Sequence, residues 1–305
     1  MRVRVSPPAH LFTMFNFLHN FNPDPVMFSF GVLRIYWYGF FIVLGVSLAL
    51  LVVLFLAKKY RIGKDDILDL SFYLFVFGII GARIYDIFLE WRYYIEHPID
   101  TLKIWEGGLA IHGGILAGIL VIYFFIKKKK LKGLSGHNLL ENFFSLSSLV
   151  VVGLSLGQAI GRWGNYFNQE LFGKPTSSAL GIYIDPVNRP LEYLSYSWFH
   201  PTFLYESIGC LVIFLILIIC HWYFSKKKKN NFKPNVLIVS LYLILYSVLR
   251  FSLEFVRIDF APTFLGWRWP QIMSLLLILV TVWFNIKIHF QEKLKYINKN
   301  NYEKQ

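Results

Sequence analysis

The sequence predicts an all-α membrane protein with seven transmembrane helices, and three observations support this fold class. The 305-residue chain is 56% hydrophobic and only 16% charged, whereas soluble domains carry about 25% charged residues. Seven apolar runs are long enough to cross the roughly 30 Å hydrocarbon core of a bilayer. The basic residues lie in short tracts between those runs, so the net charge of +13 indicates membrane anchoring rather than binding of nucleic acid.

The predicted spans follow the apolar runs at residues 35–57, 67–89, 109–126, 139–160, 202–224, 236–256 and 271–290. We expect residues 1–34 to form an outer N-terminal arm, 35–290 a transmembrane domain and 291–305 a basic cytoplasmic tail. A proline pair breaks the first apolar run early, so the N-terminus does not have the pattern of a cleaved signal peptide. The connection 161–203 is too long for a tight turn and predicts a small outer head.

Charge asymmetry between the connections predicts the orientation. Connections 58–66, 127–138, 225–235 and 287–305 hold 19 of the 31 Lys and Arg residues, although the remaining connections are much longer in total. By the positive-inside rule these four connections face the cytoplasm, which places the N-terminus outside and the C-terminus inside. We interpret the lysine tracts as anchors against anionic lipid and assign them no chemistry.

Polar side chains are concentrated at one depth. An ionisable group costs about 2.5 to 3.5 kcal/mol at the bilayer centre, so it rarely lies there without a partner or a function. The inner halves of the predicted spans hold mainly Asp69, Glu141 and His221. The outer ends, which form the candidate site, hold Tyr38, Arg83, Asp86, His112, Arg162, Asn165, Tyr205, Glu206, Arg250 and Glu254.

The sixth predicted span carries a polar stripe. Tyr246, Arg250, Glu254 and Arg257 are spaced four, four and three positions apart, which places them on one helix face. Arg250 and Glu254 can therefore pair across one turn. A buried ion pair that only fixes helix packing explains this spacing equally well, and the same alternatives apply to Arg83 with Asp86.

Two glycine-rich segments supply further candidate groups. In GRWGNYFNQELFG, residues 161–173, Arg162 offers a planar fork for phosphate, while Asn168 and Glu170 can bind hydroxyls or orient that fork. In the segment 107–118, glycines flank His112, which is a candidate base or lipid-positioning donor, with a structural histidine as the alternative.

Several other functions find little support in the sequence. GLSLG at 153–157 matches a nucleophile elbow but lies inside an apolar run, where small residues serve helix packing. Nothing in the chain calls for a metal or a dissociable cofactor, so we predict neither.

A transporter or channel with an outward-facing polar pocket remains the alternative. A headgroup transferase that uses metal-bound phosphates would need clustered aspartates, whereas Asp69 and Asp86 lie far apart on one span.

The motifs together resemble the bacterial prolipoprotein diacylglyceryl transferase family over nearly the whole chain. The similar segments are YWYGF (36–40), GARIY (81–85), EGGLAIHGG (106–114), GRWGNYFNQELFG (161–173), HPTFLYE (200–206) and YSVLRFSLEFVR (246–257). This chain departs from the family at Phe199, where the family often has Arg, and at RWPQ (268–271), where it often has Ser-x-Gly-Gln. These departures concern expected contacts with the lipid headgroup, whereas the family motif at 161–173 is fully matched.

The resemblance implies transfer of a diacylglyceryl group from phosphatidylglycerol to the thiol of a lipobox cysteine, with release of glycerol phosphate. It implies two partners, phosphatidylglycerol and prolipoprotein signal peptides, no nucleic acid, and a location in the bacterial cytoplasmic membrane with the site toward the outer side. Arg162 and Arg250 match the central family residues. The supporting matches are Tyr38, His112, Asn165, Glu170, Gly173, Tyr246 and Glu254.

The implied chemistry assigns roles to these residues. We predict that Arg162 and Arg250 clamp the phosphate and that Glu170 and Glu254 orient them. Arg83 is an expected lipid contact in the same layer. His112 is the candidate base for the acceptor thiol, and lipid positioning is its alternative role.

Overall fold

The computed structural model describes residues 18–19, 21–31, 33–129, 139–225 and 232–302. The side chains of residues 106, 225, 232 and 292–302 are outside this description. Most of the predicted N-terminal arm (1–17), the lysine tracts at 130–132 and 226–229 and the end of the basic tail (303–305) also lie outside the described residues.

Seven long helices dominate the described part of the chain, which confirms the predicted number of spans. Each is long and apolar enough to cross a membrane, so this is a multi-pass membrane protein. A short helix separates the second and third of them. In chain order the helices are α1 (Trp37–Lys59), α2 (Lys64–Leu89), α3 (Trp91–Glu96), α4 (Ile111–Lys128), α5 (Leu139–Phe167), α6 (Thr202–Ser225), α7 (Phe232–Leu253) and α8 (Trp269–Tyr302).

Two helix ends differ from the prediction at the candidate site. Helix α5 continues past residue 160 to Phe167, so Arg162 and Asn165 lie on its last two turns rather than in a connection. The segment contains no proline, and a Cβ at Gly164 would lie 2.7 Å from Tyr38 Cδ2, so close packing requires this glycine despite its low helix propensity. Helix α7 ends at Leu253, so Glu254 and Arg257 lie in the turn that follows it.

The connections are not purely helical, so the all-α prediction holds for the spans and not for every connection. Three two-stranded antiparallel sheets occur among the described residues. In the third, Leu265 and Gly266 have φ of 50° and 78°, the left-handed conformations that a tight hairpin turn requires. The pairs are β1 (Val26–Phe30) with β2 (Leu33–Tyr36), β3 (Ile182–Tyr183) with β4 (Trp198–Phe199), and β5 (Thr263–Phe264) with β6 (Trp267–Arg268).

The chain divides into two compact units. The first comprises Met1–Ala49, Gly153–His221 and Ser240–Gln305, and the second Leu50–Val152 and Trp222–Val239. In the second unit, a Cβ at Gly81 would lie 2.7 Å from the carbonyl oxygen of Gly113, so α2 and α4 require glycine at their contact. In the first unit, GLSLG lies inside α5, and a Cβ at Gly45 would lie 3.3 Å from the Gly157 carbonyl oxygen, which supports the packing explanation of that motif.

The connection between α5 and α6 is a packed structure within the first unit. Gln169, with φ of 51°, donates to Asn22 over 2.9 Å and accepts a hydrogen bond from the Asp185 backbone over 2.6 Å. Phe199, at the position where the sequence departs from the family, is fully buried in the core of this region. The core residues are Tyr166, Phe172, Ile182, Ile184, Phe199 and Phe203.

Candidate active site

The last turns of α5 present the first group of candidate residues. Arg162 donates from Nη1 to Asn165 Oδ1 over 3.2 Å. Asn165 in turn donates from Nδ2 to Glu170 Oε1 over 2.6 Å. Glu170 therefore interacts with Arg162 indirectly, through the Asn165 amide. These two hydrogen bonds hold Nη1 of the Arg162 guanidinium in place.

Glu206, in the second turn of α6, is the direct partner of Arg162. Arg162 Nη2 donates to Glu206 Oε1 over 2.7 Å, and the Tyr246 hydroxyl donates to the same oxygen over 3.2 Å. The other oxygen, Oε2, lies 3.7 Å from Nη1 of Arg257. One buried carboxylate thus connects α5, α7 and the turn after α7.

A second carboxylate, Glu254, is placed between two other arginines. Its Oε1 lies 2.5 Å from Arg250 Nη2, as the spacing on the sixth span predicted, and its Oε2 lies 3.1 Å from Arg268 Nε. These are ion-pair distances in directions that do not satisfy hydrogen-bond geometry. The interaction is therefore mainly electrostatic, and it leaves the hydrogen-bonding capacity of Arg250 partly unused.

Asp259 connects the two carboxylate centres. Its Oδ1 accepts a hydrogen bond from Arg257 Nε over 2.7 Å, and its Oδ2 lies 3.9 Å from Arg268 Nη2. Burial opposes ionisation of Asp259, but the hydrogen bond and charge of Arg257, with the charge of Arg268, outweigh burial and lower its pKa.

These contacts form one continuous network in which arginines and carboxylates alternate in space, here named the arginine–carboxylate chain. With four guanidiniums and three carboxylates, its formal charge is +1. Its ends are Arg162 and Arg250, which both interact electrostatically with Tyr246. The members in order are Arg162, Glu206, Arg257, Asp259, Arg268, Glu254 and Arg250.

Burial distinguishes the two kinds of group. The Glu206 and Glu254 side chains are 2% and 0% exposed, whereas those of Arg162 and Arg250 are 20% and 19% exposed. The carboxylates are therefore enclosed, and the guanidiniums at the ends keep an accessible surface. Among the described residues, the buried Nη1 of Arg250 has no hydrogen-bond partner. Such an arrangement can bind an anion because this guanidinium donor has no partner within the described part of the chain.

Two other predicted site residues, Tyr38 and Gly173, lie in the same unit. Tyr38, at the start of α1, interacts electrostatically with Glu170 and Arg162. A Cβ at Gly164 would lie 2.7 Å from Tyr38 Cδ2, so this glycine permits α1 to approach α5. Gly173 forms a bridge with Arg257, and a Cβ there would lie 2.8 Å from Val256 Cγ1. The structure thus gives Gly173 a packing function beside the arginine–carboxylate chain.

Arg83 and His112 belong to the second unit. The Arg83 guanidinium donates to the carbonyls of Gly107 and Gly108 over 2.7 and 2.8 Å, and it also bonds the carbonyls of Asp100, Thr101 and Lys103. It holds the connection between α3 and α4, and it lies 3.9 Å from Asp86. His112 is exposed, with its ring centroid 5.9 Å from that of Tyr85.

The sequence argument missed two partnerships. Glu206 was placed in the polar layer without being recognised as the partner of Arg162, although a carboxylate inside an apolar helix requires a partner. Arg268 was noted only as a departure from the family. No periodic signal could reveal it, because a hairpin rather than a helix determines its position.

The fold and the site define a class: a multi-pass membrane protein whose helix ends carry an arginine-rich polar centre. Within the described residues, no group of three or more His, Cys, Asp or Glu could hold a metal ion. Residues 25–287 match the family model of prolipoprotein diacylglyceryl transferase.

Homologous proteins support the same family assignment. The chain is 40% identical over 238 residues to the phosphatidylglycerol–prolipoprotein diacylglyceryl transferase of Parasynechococcus marenigrum (strain WH8102), covering 78% of this chain and 81% of the relative. It is 37% identical over 300 residues to the enzyme of that name from Prochlorococcus marinus (strain MIT 9301), covering 92% and 96%. The chain therefore belongs to the prolipoprotein diacylglyceryl transferase family, which confirms the resemblance of its motifs.

Proposed function

We propose that this protein transfers the diacylglyceryl group of phosphatidylglycerol to the thiol of a lipobox cysteine in a prolipoprotein, and releases glycerol phosphate. Family membership supports the reaction. The structural observation that carries the proposal is that the Arg162 and Arg250 side chains keep an accessible surface and that Nη1 of Arg250 has no hydrogen-bond partner among the described residues. Guanidinium groups of this kind can bind the phosphodiester of a lipid headgroup.

The reaction requires these residues to stabilise negative charge on the leaving phosphate. The thiolate attacks the phosphate-bearing carbon of the diacylated glycerol, an S–C bond forms as the C–O bond from that carbon to the phosphate breaks, and the electron pair leaves with the oxygen of glycerol phosphate. Negative charge therefore grows on the phosphate in the transition state. Arg162 and Arg250 bind the phosphate oxygens, and fixed guanidiniums stabilise this charge without having to reorganise. Arg250 Nη1 is a donor that the described residues leave unused.

Supporting residues hold the two arginines in place. Glu254 orients Arg250 directly, and Glu170 acts on Arg162 through Asn165. Tyr38 and Tyr246 complete the surroundings of Arg162, one from α1 and the other from α7. A predicted contact between Arg83 and the lipid stays a prediction.

His112 is the proposed base. The acceptor thiol has an ordinary pKa of about 8.5, so it must lose its proton to a nearby group near neutral pH. The exposed imidazole of His112 has suitable chemistry for this step, and lipid positioning is the alternative role. In His112→Gln, a base role predicts loss of the acidic limb of the pH profile of kcat/KM. A positioning role predicts a raised KM for lipid with an unchanged profile.

The proposed topology places the N-terminus outside, the C-terminus in the cytoplasm and the packed connection 161–203 on the outer side. The basic connections support it. Both substrates would then be in the bilayer already, with the lipid approaching between helices. In spheroplasts, a membrane-impermeant thiol reagent should label Ser177→Cys and spare Lys58→Cys until lysis, since both positions are exposed. The reverse pattern would reject this orientation.

Purified protein in proteoliposomes tests the function, with labelled phosphatidylglycerol, a lipobox peptide and a chelator. We expect thioether product, none when the acceptor Cys is Ser, and losses of about 100-fold in Arg162→Lys and Arg250→Lys, because lysine lacks the guanidinium fork. Arg189→Lys, in the same unit, is the matched control. Wild-type rates in both Lys variants would reject the clamp, solute flux without transfer would favour a transporter, and loss of transfer in chelator would favour metal-dependent chemistry.

A further inference from the structure

Arg268 lies at the end of the β5–β6 hairpin, directly before α8. It pairs in register with Thr263, and the left-handed turn at Leu265 and Gly266 returns the strand. This geometry brings the Arg268 side chain to the C-terminal end of α7, the helix that carries Arg250.

The turn that follows α7 has carbonyl groups that can accept hydrogen bonds, and a cation near the C-terminal end of a helix is favoured by the helix dipole. Arg268 Nη1 donates to the carbonyls of Arg257 and Glu254 over 2.6 and 3.3 Å, and Nη2 donates to the carbonyl of Asp259. Arg268 therefore clamps the turn in which Glu254 and Arg257 lie.

The Nε group of Arg268 forms an ion pair within the site itself. Its Nε lies 3.1 Å from Glu254 Oε2, while Arg250 Nη2 lies 2.5 Å from the other oxygen of that carboxylate. A carboxylate shared by two guanidiniums neutralises only one of them. Glu254 can thus fix the position of Arg250 without cancelling the positive charge at this end of the arginine–carboxylate chain.

We propose that Arg268 is a positioning residue for the phosphate-binding Arg250 and acts on it through Glu254. The proposal rests on the proposed function. Arg268 donates hydrogen bonds from Nη1 and Nη2 to backbone carbonyls and forms an ion pair with Glu254, so it positions Arg250 and does not itself bind the phosphate. The Glu254 side chain is fully buried, so its orientation is determined by these two arginines.

A double-mutant cycle tests this coupling, with kcat and KM for phosphatidylglycerol as readouts. The variants are Arg268→Gln, Glu254→Gln and their combination. We expect Arg268→Gln to lower kcat/KM about tenfold to a hundredfold, and to cause little further loss when Glu254 is already Gln, because residues in one network are not additive. Arg268→Lys should recover part of the activity, since it retains the charge without the fork.

Arg189→Gln is the matched control, because Arg189 also donates to backbone carbonyls in the same unit, those of Ile184 and Leu194. Its kcat/KM should stay within about twofold of wild type. Losses that multiply in the double variant, or a wild-type rate in Arg268→Gln, would overturn the proposal. If Arg268→Gln does not fold by thermal unfolding and gel filtration, the cycle with Arg268→Lys decides by the same criteria. An inactive wild-type protein would instead reject the proposed function.

Discussion

Nη2 of Arg162 lies 2.7 Å from Oε1 of Glu206, although the two residues are 44 positions apart in the chain. The pair joins the end of α5 to the beginning of α6 and is largely enclosed. Because the same carboxylate also accepts from Tyr246 and lies near Arg257, its charge stabilises three donors at once. Loss of that charge would leave neighbouring cations uncompensated in a buried environment.

Replacing Glu206 by Gln should therefore reduce diacylglyceryl transfer by at least about tenfold and lower thermal stability, since removing one partner of a buried ion pair costs several kcal/mol. Transfer kinetics and thermal unfolding in detergent measure the two effects. Glu192→Gln, at an exposed position in the same unit, is the control and should resemble wild type. An unchanged kcat in Glu206→Gln would show that Arg162 does not depend on this carboxylate.

The Asn165 bridge predicts a rescue experiment. In Asn165→Asp, an oxygen would replace the Nδ2 atom that lies 2.6 Å from Glu170 Oε1, and the two carboxylates would repel each other. We expect transfer to fall by about tenfold or more, as for loss of a preorganised donor. Adding Glu170→Gln restores both the net charge and a hydrogen bond, with its direction reversed. The double variant should recover much of the activity, and a double variant no better than Asn165→Asp would contradict the bridge.

The Gly173→Ala variant tests the packing beside the arginine–carboxylate chain. A Cβ there would lie 2.8 Å from Val256 Cγ1 and 2.9 Å from His200 Cβ, so Gly173→Ala should displace the bridge to Arg257. Overpacking of this kind costs about 1–3 kcal/mol, and we expect a lower Tm together with reduced transfer. Gly161→Ala is the control, because a Cβ at Gly161 would have no neighbour within 4 Å. Equal Tm values for the two variants would contradict the packing argument.

His200 predicts how stability depends on pH. Burial lowers its pKa from the ordinary value of 6.5. The folded protein thus resists a proton that the unfolded chain accepts, so the His200 contribution to stability is present above pH 6.5 and is lost as the pH falls through the lowered folded pKa. The Tm of the wild type should decrease more than that of His200→Asn between pH 7 and about 5. Parallel pH curves for the two proteins would contradict this assignment.

The spans were largely predictable because each is a local property of composition and length. Hydropathy located all seven, and the largest differences are at two helix ends: α5 continues past residue 160 to Phe167, and α8 continues past residue 290 to Tyr302. The Arg250–Glu254 pair was predictable for the same reason, since a spacing of four residues places two side chains on one face. Hairpins such as β5–β6 were missed because a two-residue strand has no measurable periodicity.

Apolar length and ordered motifs are readable along one chain, so they were sufficient to predict a seven-span membrane protein, its family and the arginines at the helix ends. The packing of the fold was needed to show which carboxylate supports which arginine. Glu206 with Arg162, and Arg268 with Glu254, are pairs between different elements. Their contact depends on how helices and hairpins pack, and no spacing along the sequence encodes that geometry.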